Sequence, residues 1–346
     1  MAYTTIDKST DYFNTKLWTG TGAENAITGV GFQPDWVWIK NRTAAENHKL
    51  YDAARGATKN IYSNLDNVEG TDAQSLKSFN SDGFTLGTET AVNANGQNIV
   101  GWNWKANGQG SSNTDGSINT TYTSANTTSG FSIVTYTGTG SNATIGHGLG
   151  AVPKMIIVKN LTNANAWSVY HASLGATKYL ALNETDVAGT ASDRWQDTTP
   201  TSSLFYIGTN DNQGGSYNYV AYCFAEKQGF SKFGSYVGNG EPIGDAPFIY
   251  TGFKPAFVLL KSSTYVENWI MTDNKRLGYN GSAANFRANT SNAEITDSGI
   301  NPDLLSNGFS LQNNDDSYNK NGQSYIYMAF AESPFVTSTG VPSTAG

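Results

Sequence analysis

Gly31-Phe-Gln-Pro-Asp-Trp-Val-Trp-Ile-Lys40 is one of three occurrences of a single signature; the others are Gly150-Ala-Val-Pro-Lys-Met-Ile-Ile-Val-Lys159 and Gly252-Phe-Lys-Pro-Ala-Phe-Val-Leu-Leu-Lys261. In each copy Gly leads Pro by three positions (31→34, 150→153, 252→255) and Pro leads Lys by six (34→40, 153→159, 255→261). A register kept three times marks an internal repeat. In the first copy Trp36 and Trp38 would point to one face of an extended strand and Val37 and Ile39 to the other. A strand apolar on both faces belongs in the middle of a sandwich, or has an outer face that packs on another unit.

The similarity spreads outward from the signature. Upstream lie Trp18-Thr-Gly20-Thr-Gly22, Tyr136-Thr-Gly138-Thr-Gly140 and Tyr236-Val-Gly238-Asn-Gly240, an aromatic followed by a tight turn. Downstream, Arg55-Gly-Ala-Thr-Lys59 matches Leu174-Gly-Ala-Thr-Lys178, whereas the third copy keeps only Arg276-Leu-Gly278. Each unit then reaches an Asn (Asn64, Asn183, Asn289) and a strand start at Phe84, Phe205 or Phe309. The closing strands are Ile99-Val-Gly-Trp-Asn-Trp104, Tyr219-Val-Ala-Tyr-Cys-Phe224 and Tyr325-Ile-Tyr-Met-Ala-Phe330.

The units therefore span 11–106, 130–226 and 230–333, with an N-terminal segment 1–10 and a polar tail 334–346. Residues 107–129, almost without apolar side chains, read as a linker or a long surface excursion. The apolar runs are short, rich in Val, Ile, Tyr, Trp and Phe, and bounded by Gly, Asn, Asp or Pro, which are strand signals. The expectation is an all-β protein of three tandem antiparallel sandwiches, jelly-roll or lectin-like, for which a pseudo-threefold arrangement is one open packing.

The net charge of -7 and the absence of a basic stripe argue against nucleic acid as a partner. Charged residues are only 14% of the chain, so Asn, Ser, Thr and Gly carry its solubility, a composition common on extracellular and particle-surface β proteins. The single cysteine, Cys223, rules out an internal disulfide framework and lies in a closing hydrophobic strand, where a buried thiol is expected. The start Met1-Ala-Tyr-Thr-Thr-Ile-Asp7 has neither a basic segment nor an apolar run, so no signal peptide is expected, and no run is long enough for a membrane helix.

Chemistry-bearing patterns are sparse. His48, His147 and His171 form no paired ligand pattern, and His147 sits in a glycine-rich turn where a bond to nearby backbone is expected. Asp52 and Arg55 precede the turn of the first unit while His171 and Leu174 occupy those places in the second, so a local salt bridge reads better than a catalytic pair. The acidic loops Asn210-Asp-Asn-Gln-Gly-Gly215 and Asn313-Asn-Asp-Asp-Ser-Tyr-Asn319 carry oxygen ligands for calcium without EF-hand spacing, and no cofactor is assigned. Most tryptophans stand at repeat positions and belong to the core. Trp195 lies outside the consensus and is a candidate surface contact, together with Tyr217, Asn218 and Tyr318, whose residue types suit carbohydrate recognition.

The string Ile145-Gly-His-Gly-Leu-Gly-Ala-Val-Pro-Lys-Met-Ile-Ile-Val-Lys-Asn160 resembles a repeat of tail-fibre-like and other virion proteins of tailed bacteriophages, especially marine phages. Trp18-Thr-Gly-Thr-Gly22, Tyr51-Asp-Ala-Ala-Arg-Gly-Ala-Thr-Lys59, Asp82-Gly-Phe-Thr-Leu86 and Tyr325-Ile-Tyr-Met-Ala-Phe-Ala-Glu332 share that resemblance. It implies structural roles for Gly31, Pro34, Lys40, Gly150, Pro153, Lys159, Gly252, Pro255 and Lys261, and supplies no catalytic residue. No coiled-coil or collagen-like shaft is present, so a compact knob, tip or decoration subunit fits better than a whole fibre. The resemblance implies a non-enzymatic virion surface protein, an adhesin for a host glycan or protein or else a decoration subunit bound to other virion proteins; a glycan depolymerase, which needs two carboxylates converging in a groove, is the least favoured reading. Three like units would multiply weak sites into avidity.

Overall fold

The computed structural model describes residues 4–211, 217–242, 244–276, 284–296 and 302–334. The chain is all-β, and its sheets are antiparallel. Each unit builds one large sheet around its signature strand. In the first, Phe13–Thr19, Asn98–Trp104, Trp36–Asn41 and Lys49–Asp52 lie side by side in that order. The second sets Phe131–Thr137, Asn218–Ala225, Pro153–Asn160 and Ser168–His171 in the same order. The third repeats it with Ser231–Val237, Ser324–Ser333, Lys254–Ser262 and Ile270–Asp273, then adds Phe286–Arg287 at the edge. The signature strand thus lies inside each sheet, as its two apolar faces require.

A smaller sheet covers one face of each large one. Asn25–Thr28, Gly83–Leu86 and Leu76–Asn80 do so in the first unit, Ala143–Gly146 with Leu204–Ile207 in the second, and Phe248–Tyr250, Gly308–Ser310 and Asp303–Leu305 in the third. Between the layers lies one apolar core per unit: Val37 and Ile39 meet Ile27 and Phe84, Ile156 and Val158 meet Ile145 and Phe205, and Val258 and Leu260 meet Ile249 and Phe309. Cys223 is buried in the second of these.

The opposite faces of the three large sheets converge on a single further core. Trp36, Trp38, Trp102 and Trp104 pack there with Met155, Ile157, Tyr222 and Phe224, and with Phe257, Leu259, Met328 and Phe330. Trp36 stacks on Tyr222 of the second unit at 4.5 Å between ring centroids, and Phe13 stacks on Phe330 of the third at 5.1 Å. Alternation along one strand therefore sends odd and even side chains to different cores.

One expectation needs correction. Residues 107–129 are not a free linker: Tyr122–Asn126 adds an edge strand to the second unit's large sheet by pairing with Phe131–Thr137. Its polar residues are used internally, as Ser124 is buried and its hydroxyl donates to the Gly108 carbonyl at 2.6 Å. The Gly-x-Gly turns also rest on a repeated partner. Asn93 and Asn319 are fully buried; their side-chain oxygens accept from the Thr21 and Asn239 amides, and their carbonyls from Gly22 and Gly240. The first glycine is required by close approach, since a Cβ on Gly20 would lie 2.1 Å from the Ala94 carbonyl oxygen; Gly22 is required by its φ of +68°. Gly278 and most of the 334–346 tail lie outside the described residues.

Candidate functional site

The signature lysine and three downstream positions join each unit to its neighbour. Lys40, Lys159 and Lys261 are fully buried, and each ammonium is held by carbonyl oxygens, one from the next residue (Asn41, Asn160, Ser262) and one from another unit. The second carbonyl is Ser291 for Lys40 (3.2 Å), Asp66 for Lys159 (3.0 Å) and Thr185 for Lys261 (3.2 Å). In sequence these acceptors stand two residues after the repeat asparagines (289→291, 64→66, 183→185). The first unit thus reaches to the third, the second to the first and the third to the second, which closes a ring. Burial pulls each lysine from 10.5 down to about 8.

Eight residues beyond each lysine a second side chain crosses the same seam (40→48, 159→167, 261→269). Trp167 donates its indole N–H to the Tyr62 carbonyl and Trp269 donates to Ala181, both at 2.9 Å. His48 does the same toward the Arg287 carbonyl at 3.2 Å. The Trp38 indole donates to His48 Nδ1 at 2.8 Å, so the ring proton resides on Nε2. Asn64, Asn183 and Asn289 pin these positions, each accepting from the backbone N–H of residue 48, 167 or 269. The sequence displayed these asparagines without disclosing their role.

Asp52 and Arg55 form the local salt bridge expected at the turn, at 2.5 Å, but Glu69 joins them at 3.1 Å and Tyr222 of the second unit donates to Asp52 at 2.7 Å. Asp273, Arg276 and Glu294 repeat this triad, with the Trp102 indole of the first unit as donor at 2.9 Å. The second unit places His171, Leu174 and Ala188 at these positions. The repeat position of the donors Trp102 and Tyr222 is held in the third unit by Met328, which has no strong donor, and His171 bonds the Tyr327 carbonyl at 3.2 Å. Donor, acid, guanidinium and second acid are thus present together or replaced together. Burial lowers His171 to about 4, and its Nδ1 accepts from the Ser173 amide. His147 bonds nearby backbone, as its turn position implied, accepting from Leu149 and facing the Thr201 carbonyl.

Replacement of the triad opens the surface at the seam between the second and third units. A groove of about 370 Å³ lies there, lined by Leu174, Ala188, Ile326 and Val237 with the polar residues Ser173, Lys178, Ser235, Ser263, Thr264 and Ser324. At the other two seams the places of Leu174, Ala188 and Ser263 are taken by Arg55, Glu69 and Leu161, with Arg55 paired to Glu69 inside the first unit, or by Arg276, Glu294 and Arg42, with Glu294 held by both arginines. Arg42 holds Glu294 at 2.8 Å. Lys59 lies 3.5 Å from Glu69, whereas among the described residues its counterpart Lys178 has no carboxylate within ion-pair distance.

The surface candidates fare unequally. Trp195 is only 2% exposed and packs edge-on against Tyr170 in the second unit's core, so it is no surface contact. Tyr318 is fully buried, its hydroxyl donating to Asn313 at 2.6 Å. A position outside the repeat consensus does not keep Trp195 out of the core, and a polar loop does not keep the Tyr318 ring exposed. Tyr217 is half-buried and Asn218 exposed, with Asn218 Oδ1 accepting from Thr137 at 2.9 Å. Of the acidic loops, residues 212–216 lie outside the described residues, while Asp315 in the other caps the helical turn Asp316–Asn319. Among the described residues no three of His, Cys, Asp and Glu converge as metal ligands, and no helix is long and apolar enough to cross a membrane.

A family model described as Domain of unknown function (DUF7483) matches residues 8–334, and the chain belongs to that family. No curated protein and no solved structure matches it.

Proposed function

We propose, for this member of a family whose description leaves function open, a non-enzymatic virion surface protein of the tailed-phage kind that attaches to a host-surface carbohydrate or protein. The observation that carries this reading is the division of labour among the residues. The repeated positions are consumed in cores and seams, and the one seam that departs from the pattern presents an open, hydroxyl-lined groove. Ligand sites are concave, with a few polar groups placed over apolar ground. The resemblance of the signature and its flanks to phage virion repeats supplies the setting.

The test is adsorption. Purified, labelled protein added to the bacteria on which the encoding phage grows should bind saturably and slow phage adsorption; absence of binding removes the adhesin reading. A second reading, a decoration subunit bound to other virion proteins, is favoured by Phe248 and Tyr250. They lie two apart on an edge strand, so they share a face, and are 46% and 62% exposed. Binding to stripped virions instead of cells would select it.

A further inference from the structure

The geometry points to a carboxylate-bearing saccharide as the ligand of the groove between the second and third units, an inference that rests on the attachment reading above. At the seam between the first and second units the carboxylate of Glu69 lies between Arg55, at 3.1 Å, and Lys59, at 3.5 Å. The counterpart of Glu69 is Ala188 (64→69, 183→188), and that of Lys59 is Lys178 (40→59, 159→178). The cation has been kept while its anion has been removed, and the space the anion and its guanidinium would fill is open. A ligand carboxylate placed there restores the missing partner of Lys178.

The rest of the lining selects among acids. Ser173, Ser235 and Thr264 are exposed around the opening, and Ser324 is partly exposed, so hydroxyl groups able to donate and accept surround Lys178. Leu174, Ala188 and the exposed Val237 supply apolar ground against which the C–H face of a sugar ring can lie. Tyr236 is no platform, because its ring stacks on Tyr325 and its hydroxyl donates to the Tyr318 carbonyl. A polyhydroxylated ring with one carboxylate matches this set, whereas an acidic peptide leaves most of the hydroxyls without partners.

The measurement is titration calorimetry of the whole chain with a glucuronate-containing oligosaccharide, a neutral glucose oligosaccharide of equal length, and poly-glutamate. Binding of the uronic-acid ligand should exceed both others by about tenfold or more. Lys178→Gln, a change at an exposed side chain, should weaken it by about tenfold and level the acidic with the neutral ligand. Ala188→Glu should abolish it by supplying the anion internally. Equal affinity for neutral and acidic sugars, equal affinity for poly-glutamate, or an unchanged Lys178→Gln variant would each overturn the inference. Absence of sugar binding by the unaltered protein, with intact adsorption to cells, overturns the groove ligand alone; absence of both overturns the attachment reading as well.

Discussion

At the scale of single residues, the buried signature lysines are the least ordinary feature of the chain. Each ammonium sits among carbonyl oxygens, with its solvation replaced by dipoles, and burial lowers its proton affinity to about 8. In the unfolded chain the value returns to 10.5, so between about 8 and 10.5 the folded state binds fewer protons than the unfolded one and stability must rise with pH. Each lysine is worth on the order of 2–3 kcal/mol over that window. Buried tyrosines such as Tyr222, whose hydroxyl burial pushes up, oppose this only where the unfolded chain ionises, above about 10. Urea midpoints measured from pH 7.5 to 9.5 should therefore climb, and Lys159→Met should flatten the climb by about a third. A midpoint falling across that range would contradict the burial.

The triads bury charge, Asp52 against Arg55 and Asp273 against Arg276. Arg55→Leu alone leaves the buried Asp52 without its cation and Glu69 with Lys59 alone, and should cost about 3–5 kcal/mol. The chain itself contains the uncharged alternative at His171, Leu174, Ala188 and Met328. Transplanting it as Asp52→His, Arg55→Leu, Glu69→Ala and Tyr222→Met should cost less than about 2 kcal/mol, because no buried charge is orphaned and Lys59, which loses Glu69, is exposed. Urea unfolding of the single and quadruple variants decides this; a quadruple variant no more stable than Arg55→Leu would show that the four positions do not act as a set.

At the scale of elements, the signature strand and its neighbours were legible from their apolar spacing, and both faces of Trp36–Asn41 are buried as that spacing required. What could not be read was anything that depends on hydrogen bonds between distant segments. Asn93 and Asn319 look like loop residues because a polar side chain carries the same letter whether it faces water or a ring of backbone amides. The same blindness made 107–129 look like a linker: apolar periodicity is the main strand signal, and an edge strand held by Thr and Ser hydroxyls has little of it. Limited proteolysis checks this segment. Tyr122–Asn126 should resist cleavage under conditions that digest an unstructured chain, because its backbone pairs with Phe131–Thr137 and Thr123 exchanges bonds with Ser111. Rapid cutting between 107 and 129 in otherwise intact protein would restore the linker reading.

At the scale of the whole molecule, the groove exists because a repeat can vary one seam while two others hold the assembly. The shared core makes the three large sheets behave as one body. A lone second unit would expose Phe131, Ile133, Met155, Ile157, Trp167, Val169, Val220, Tyr222 and Phe224, a continuous apolar face far larger than isolated surface residues. The crossing bonds run in a cycle, so removing any one unit breaks two of three seams and leaves buried lysine and indole donors without acceptors. Unfolding should accordingly be a single transition, with calorimetric and van't Hoff enthalpies in a ratio of about one. A fragment covering 107–226 should be unfolded, aggregated or self-associated. Three resolved transitions, or a stable monomeric fragment, would mean that the central aromatic cluster holds the units together too weakly to couple their folding.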